Sequence, residues 1–118
     1  MRAPRLVVFD WDGTVVDSQR LIHGVMCAAI STHGHPVPSL ESVRAVIGLE
    51  LAEAITRLLP QEFSGDLGAV VNSYRETFAF ERAKPGCDEP LFPNVRETLT
   101  ALERAGILCA IATGKSKR

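Results

Sequence analysis

The stretch Leu6-Val7-Val8-Phe9-Asp10-Trp11-Asp12-Gly13-Thr14-Val15-Val16-Asp17 sets four consecutive apolar residues directly before two carboxylates spaced two apart. A short run of valine, leucine and phenylalanine ended by Asp and Gly reads as a buried strand running into a turn. Side chains in an extended segment alternate sides, so Asp10 and Asp12 are expected to project the same way from the strand's carboxyl end. Asp and Gly alone would fit an ordinary turn. The apolar run, the paired carboxylates and the following Gly13-Thr14 together carry more information than a turn needs. In such a pair one carboxylate serves as nucleophile and metal ligand, while the other is placed to hold a proton for a leaving group.

Outward from this segment, a second apolar run, Ile107-Leu108-Cys109-Ala110-Ile111-Ala112, is expected to be a strand of a parallel sheet covered on both faces. It delivers Thr113-Gly114-Lys115, and a hydroxyl with neighbouring backbone N–H groups at that edge can bind a phosphoryl oxygen. Between the two strands the periodicity is helical. From Ser18, residues Leu21, Ile22, Val25, Met26, Ala29 and Ile30 recur at helical spacing until His33-Gly34-His35-Pro36. Ser39 is expected to cap a short helix ending near Gly48, and Leu51, Ile55, Leu58 and Leu59 mark another stopped by Pro60. A longer amphipathic helix starts at Gly65-Asp66 and carries Leu67, Val70, Val71, Tyr74 and Phe78. The turn-rich segment from Lys84 to Pro90 ends the helical part. Asn94 with Glu97 has capping-box spacing before a last helix that stops at Gly106.

The Asp10-Trp11-Asp12-Gly13-Thr14 run resembles the first motif of the haloacid dehalogenase superfamily, and Ile111-Ala112-Thr113-Gly114-Lys115 is similar to its second. The resemblance implies an α/β fold: a Rossmann-like core over residues 1–17 and 84–118, only two of whose strands lie in this sequence, with a helical cap over 18–83. It implies a Mg²⁺-dependent phosphatase working through an aspartyl-phosphate, a covalent route of a general kind. Asp10 would be nucleophile and metal ligand, Asp12 acid then base and a second metal ligand. Thr113, Gly114, Gly13 and Thr14 would bind the phosphoryl group. Asp12 points to phosphate esters, because an alkoxide leaving group needs a proton. The cap would exclude water and select a small phosphorylated metabolite. Gly48-Leu49-Glu50-Leu51 looks like the specificity loop of the phosphoglycolate phosphatase and phosphoglucomutase branch, with Arg44 and Arg57 flanking it as candidate anion contacts.

Composition agrees with a globular protein: 118 residues, 46% apolar and a net charge of −1 give no electrostatic footprint for nucleic acid or anionic membrane. The apolar run before Asp10 is too short for a signal sequence or membrane span. Cys27, Cys87 and Cys109 have no metal-ligand spacing and are expected to be reduced thiols of a cytoplasmic protein. His33 and His35, at a helix end next to Gly34 and Pro36, read as solvated turn residues, and with His23 they find no acidic ligand at metal-site spacing.

The superfamily pattern also calls for a later lysine and a second acidic pair. Lys115 is not assigned that lysine's role, and Asp88-Glu89 precede the second strand and do not fit the pair. Two parallel strands are few for independent stability. The sequence is therefore expected to be a truncated chain, inactive or nearly so alone. The rival reading is a non-catalytic helical module that forms a homodimer through unpaired sheet edges.

Overall fold

The computed structural model describes residue 2 and residues 4–87 and 89–114. Strand β1 (Leu6–Asp10) is followed by α1 (Gln19–Thr32), α2 (Leu40–Arg44), α3 (Leu51–Leu58), α4 (Leu67–Ala83), α5 (Val95–Arg104) and β2 (Leu108–Ala112). The two strands pair in parallel, Leu6 opposite Leu108 and Asp10 opposite Ala112, so both chains leave the sheet at the same level.

The helices begin where short polar side chains can satisfy free N–H groups. Ser39 Oγ accepts from Ser42 N at 3.1 Å, and Asp66 Oδ1 accepts from Ala69 N at 3.2 Å. Helix α3 uses Glu50, whose carboxylate accepts from Ala52 N and Glu53 N at 3.1 and 3.2 Å. Removing the α4 cap with Asp66→Ala is expected to cost about 1 kcal/mol, read as a lower urea midpoint at unchanged slope. An unchanged midpoint would show that this cap does not stabilise the fold.

The capping box expected at Asn94 and Glu97 does not form. Asn94 is in the left-handed region (φ 66°) and makes no side-chain cap; its carbonyl instead accepts the Thr98 amide at 3.0 Å and hydroxyl at 2.7 Å. The other end of α5 closes as expected. Gly106, at φ 72°, donates to Glu103 O at 3.0 Å while Ile107 donates to Leu102 O at 3.0 Å, the paired bonds of a left-handed helix stop.

Packing divides the chain unevenly. The apolar stripes of α1 to α4 converge on Met26, Ile30, Val43, Ile55 and Val70, each no more than 2% exposed. In contrast, the run expected to be covered on both faces is exposed throughout β2, with Leu108 71% and Ile111 54% accessible. The reason is geometric: among the described residues β2 has only β1 beside it in the sheet, and α5 contributes no buried residue. The segments joining helices to sheet run side by side. Asp17 N donates to Pro90 O at 2.7 Å, Phe92 N donates to Val15 O at 3.1 Å, and Val16 bridges Leu91 between them. Among the described residues no helix is long and apolar enough to cross a membrane.

Candidate active site

The parallel register brings the two sequence motifs together, because Trp11-Asp12 and Thr113-Gly114 emerge next to one another from the strand ends. The chain after β1 then folds into a tight knot. The Trp11 carbonyl accepts the amides of Thr14, Val15 and Val16 at 3.3, 2.9 and 3.2 Å, and Gly13 N donates back to Val16 O at 3.0 Å. Gly13 turns at φ +79°, which an L side chain rarely adopts.

This knot orients the carboxylates. Asp10 Oδ1 accepts from Trp11 N at 2.9 Å, and Asp10 Oδ2 accepts from the Thr14 hydroxyl at 3.4 Å. Asp12 Oδ1 accepts from Ser18 Oγ at 2.6 Å, and Ser18 is 1% exposed at the entrance to α1. The sequence reading missed Ser18 as a site residue. Its place before a helix suggests a cap, yet it makes no side-chain capping bond and is turned toward Asp12 instead.

Two cavities meet at these carboxylates. The first, about 330 Å³, has Asp10, Asp12, Thr113 and Gly114 at its floor; its other walls are residues 46–51, Ile22, Met26, Ala54 and the α4 face carrying Tyr74 and Phe78. The second, about 340 Å³, is bordered by Asp10, Asp12, Gly13, Thr14, Asp17 and Arg44 among others. Gly48-Leu49-Glu50-Leu51 therefore lines the first cavity, and Arg44 the second, where its guanidinium donates to Gln19 Oε1. Arg57 is held on the exposed side of α3 by Glu53 at 2.9 Å and borders neither cavity. Lys115 and Asp88 lie outside the described residues.

The histidines are dispersed rather than convergent. His23 Nε2 contacts Pro38 O at 3.0 Å, His33 Nε2 contacts Ser73 Oγ at 2.9 Å, and His35 meets the Phe63 ring edge-on at 5.2 Å. Among the described residues no group of three or more His, Cys, Asp or Glu converges to hold a metal ion. Two hard carboxylates facing one cavity nonetheless suit Mg²⁺, which is commonly held by one or two carboxylates with waters and a substrate phosphate completing its shell.

Tyr74 extends the site into the helical part. Burial first, then the negative charge of Asp12 and of Glu89, pushes its phenol well above the ordinary value of about 10. Tyr74 is the chain's single tyrosine, so alkaline titration reads it alone. Tyrosinate absorbance is expected near pH 10 in the unfolded chain and only at higher pH in the folded one. Because the unfolded state then loses its proton first, folding stability falls as pH rises through about 10. A folded-state midpoint near 10 would show that Tyr74 is not enclosed beside these carboxylates.

This α/β arrangement, with paired carboxylates and a threonine at the ends of adjacent parallel strands, belongs to the haloacid dehalogenase-like hydrolase family, which the chain matches over residues 7–118. It is 33% identical over 119 residues to a phosphoglycolate phosphatase of Pseudomonas syringae pv. syringae, covering 99% of this chain and 44% of that protein. It is 34% identical over 118 residues to a phosphoglycolate phosphatase of Vibrio parahaemolyticus, covering 97% of this chain and 52% of that one. The crystal structure of a predicted phosphoglycolate phosphatase from Haemophilus somnus superposes with a TM-score of 0.80 at 24% identity, over 99% of this chain and 54% of that one, and shares its fold. The chain spans about half the length of these relatives.

Proposed function

We propose that the protein carrying this sequence is a phosphate monoester hydrolase acting through a covalent intermediate on Asp10. The observation supporting this most strongly is that Asp10, Asp12 and Thr113, contributed by the ends of two strands distant in sequence, border one cavity. In this reading residues 1–17 and 84–118 are the catalytic core, and residues 18–83 are a cap over it.

An Asp10 carboxylate oxygen attacks phosphorus, forming the Asp10 O–P bond as the ester P–O bond breaks. Asp12 gives its proton to the departing alkoxide and then accepts one from the water that attacks the phosphoryl group. That second displacement releases inorganic phosphate and restores Asp10. The Thr113 hydroxyl and Gly114 N–H hold phosphoryl oxygens from one side of the sheet end, with Gly13 and Thr14 on the other. Ser18, bonded to Asp12, fixes the acid's orientation. Asp10 and Asp12 would hold Mg²⁺, which neutralises charge on the phosphoryl group when bound. The apolar wall of Leu49, Leu51 and Phe78 limits water around the reacting atoms.

The names of the relatives favour a small phosphorylated metabolite of the phosphoglycolate kind. Mg²⁺-dependent phosphate release from p-nitrophenyl phosphate and a panel of phosphorylated acids and sugars tests the proposal. Release that depends on Mg²⁺ and Asp10 supports it. Release that survives both chelation and Asp10→Asn overturns it.

A further inference from the structure

The cavity that holds Asp10, Asp12 and Thr113 is also lined by Tyr74 and Phe78 of α4. Four residues apart on one helix face, the two rings stack with centroids 5.9 Å apart and planes 21° from parallel, and both pack against the helical core. The ring is therefore fixed by neighbours. The hydroxyl is not accounted for in the same way. A largely enclosed tyrosine ordinarily spends its O–H on a protein acceptor, yet among the described residues no hydrogen bond takes up this one.

Its surroundings keep it a donor. Burial and the charges of Asp12 and Glu89 disfavour the phenolate, so the proton stays on the oxygen at any pH where a carboxylate acid works. Because the Asp12 charge acts on it, the phenol oxygen lies on the Asp12 side of the cavity wall. Glu89 is itself bridged by Arg82 Nε at 3.1 Å, which offsets its charge. The remaining polar side chains that the helical part brings to this cavity are of another kind: the Glu50 carboxylate is occupied by the amides at the start of α3, and Arg75 and Arg82 are cations. Tyr74 supplies a neutral hydroxyl.

In-line displacement at phosphorus decides where such a donor is useful. With Asp10 attacking from the strand end, the departing oxygen leaves on the far side of phosphorus, into the part of the cavity walled by the helical residues. Asp12 has to reach that oxygen to protonate it, so a hydroxyl beside Asp12 on this wall reaches it too. We infer that the Tyr74 hydroxyl donates a hydrogen bond to the departing ester oxygen alongside Asp12, which makes it a catalytic residue contributed by α4. As the ester P–O bond breaks, its electron pair passes to that oxygen and Asp12 supplies the proton. Tyr74 keeps its own proton and stabilises the charge that develops before the transfer is complete. The inference rests on the roles proposed above for Asp10 and Asp12.

Tyr74→Phe keeps the ring and its stack on Phe78 and removes only the hydroxyl. In the protein carrying this sequence, the variant is expected to lose about tenfold or more in kcat/KM on ethyl phosphate, whose departing oxygen is strongly basic, and less than about twofold on p-nitrophenyl phosphate, whose leaving group needs little help. An unchanged urea midpoint shows that the fold is kept. Equal losses on the two esters, or none on either, overturn the inference, because a merely structural residue would move both alike. Orthovanadate gives a second reading that needs no turnover, since with Mg²⁺ it takes the five-coordinate geometry of the displacement and sets an oxygen in the departing position. Tyr74 is the chain's single tyrosine, so protein labelled with ¹³C at tyrosine Cζ gives one resonance. That resonance should shift when vanadate binds, and calorimetry should show vanadate bound about tenfold more weakly by Tyr74→Phe. Absent vanadate binding, a resonance unmoved at saturation, or equal affinity in the variant overturns the inference. Hydrolysis that survives Asp10→Asn strikes the underlying reading instead, and it is read in a separate variant.

Discussion

In the protein carrying this sequence, Asp10→Asn is expected to lower phosphate release by on the order of 10³-fold or more, equivalent to about 4 kcal/mol of transition-state stabilisation. The substitution removes a nucleophile and a negative charge while keeping side-chain size. An amide oxygen at this position can still accept the Trp11 amide that Asp10 Oδ1 now accepts at 2.9 Å, and β1 keeps its pairing with β2. The fold should therefore be unchanged, with the loss confined to turnover. Circular dichroism and urea unfolding of the variant provide that control, and phosphate release under saturating Mg²⁺ provides the result. Unchanged hydrolysis would remove Asp10 from the nucleophile's role. A comparable loss in Asp12→Asn, with proton demand set by the leaving group, would divide the two carboxylates as proposed: esters of acidic alcohols need less help from the acid and should lose less.

The largest stability effect should come from the helical core. Ile30 is fully buried between α1 and its neighbours, and Ile30→Ala is expected to cost about 2–5 kcal/mol through lost transfer energy and the cavity left behind. For a domain whose whole stability is about 5–15 kcal/mol, that removes a large share. The same truncation at Ile111 should cost less than about 1 kcal/mol, since Ile111 is 54% exposed on β2. Paired urea titrations at constant slope decide between the sites. A larger loss at Ile111 than at Ile30 would mean that the sheet, not the helical part, carries the stability of this chain.

That contrast shows what was hidden in the residues. The apolar run 107–112 is among the most hydrophobic in the chain, and hydropathy correctly made it a strand. Burial is a property of neighbours, however, and among the described residues β2 has one strand beside it. Asn94 failed for a similar reason: its spacing to Glu97 is that of a capping box, but the chain enters α5 through a left-handed turn that aims its side chain elsewhere. Ser18 and Tyr74 carried no local signal of a site role. One reaches Asp12 only because α1 starts under the knot after β1, and the other because α4 crosses the cavity.

Local chemistry, by contrast, was legible. Asp10 and Asp12 two apart at a strand end, Thr113 closing a second strand, and the stops at Gly34, Pro60 and Gly106 follow from periodicity, turn preference and backbone freedom, which act over a few residues. The sequence by itself determined the elements, their order and the residue types available for chemistry. Only the tertiary structure decided that Asp10 and Thr113 share a cavity, that Arg75 and Arg82 border it while Arg57 does not, and that the core lies among the helices. The parallel register of β1 with β2 and the packing of α1 on α4 arise between segments far apart in the chain, and short-range patterns hold no record of them.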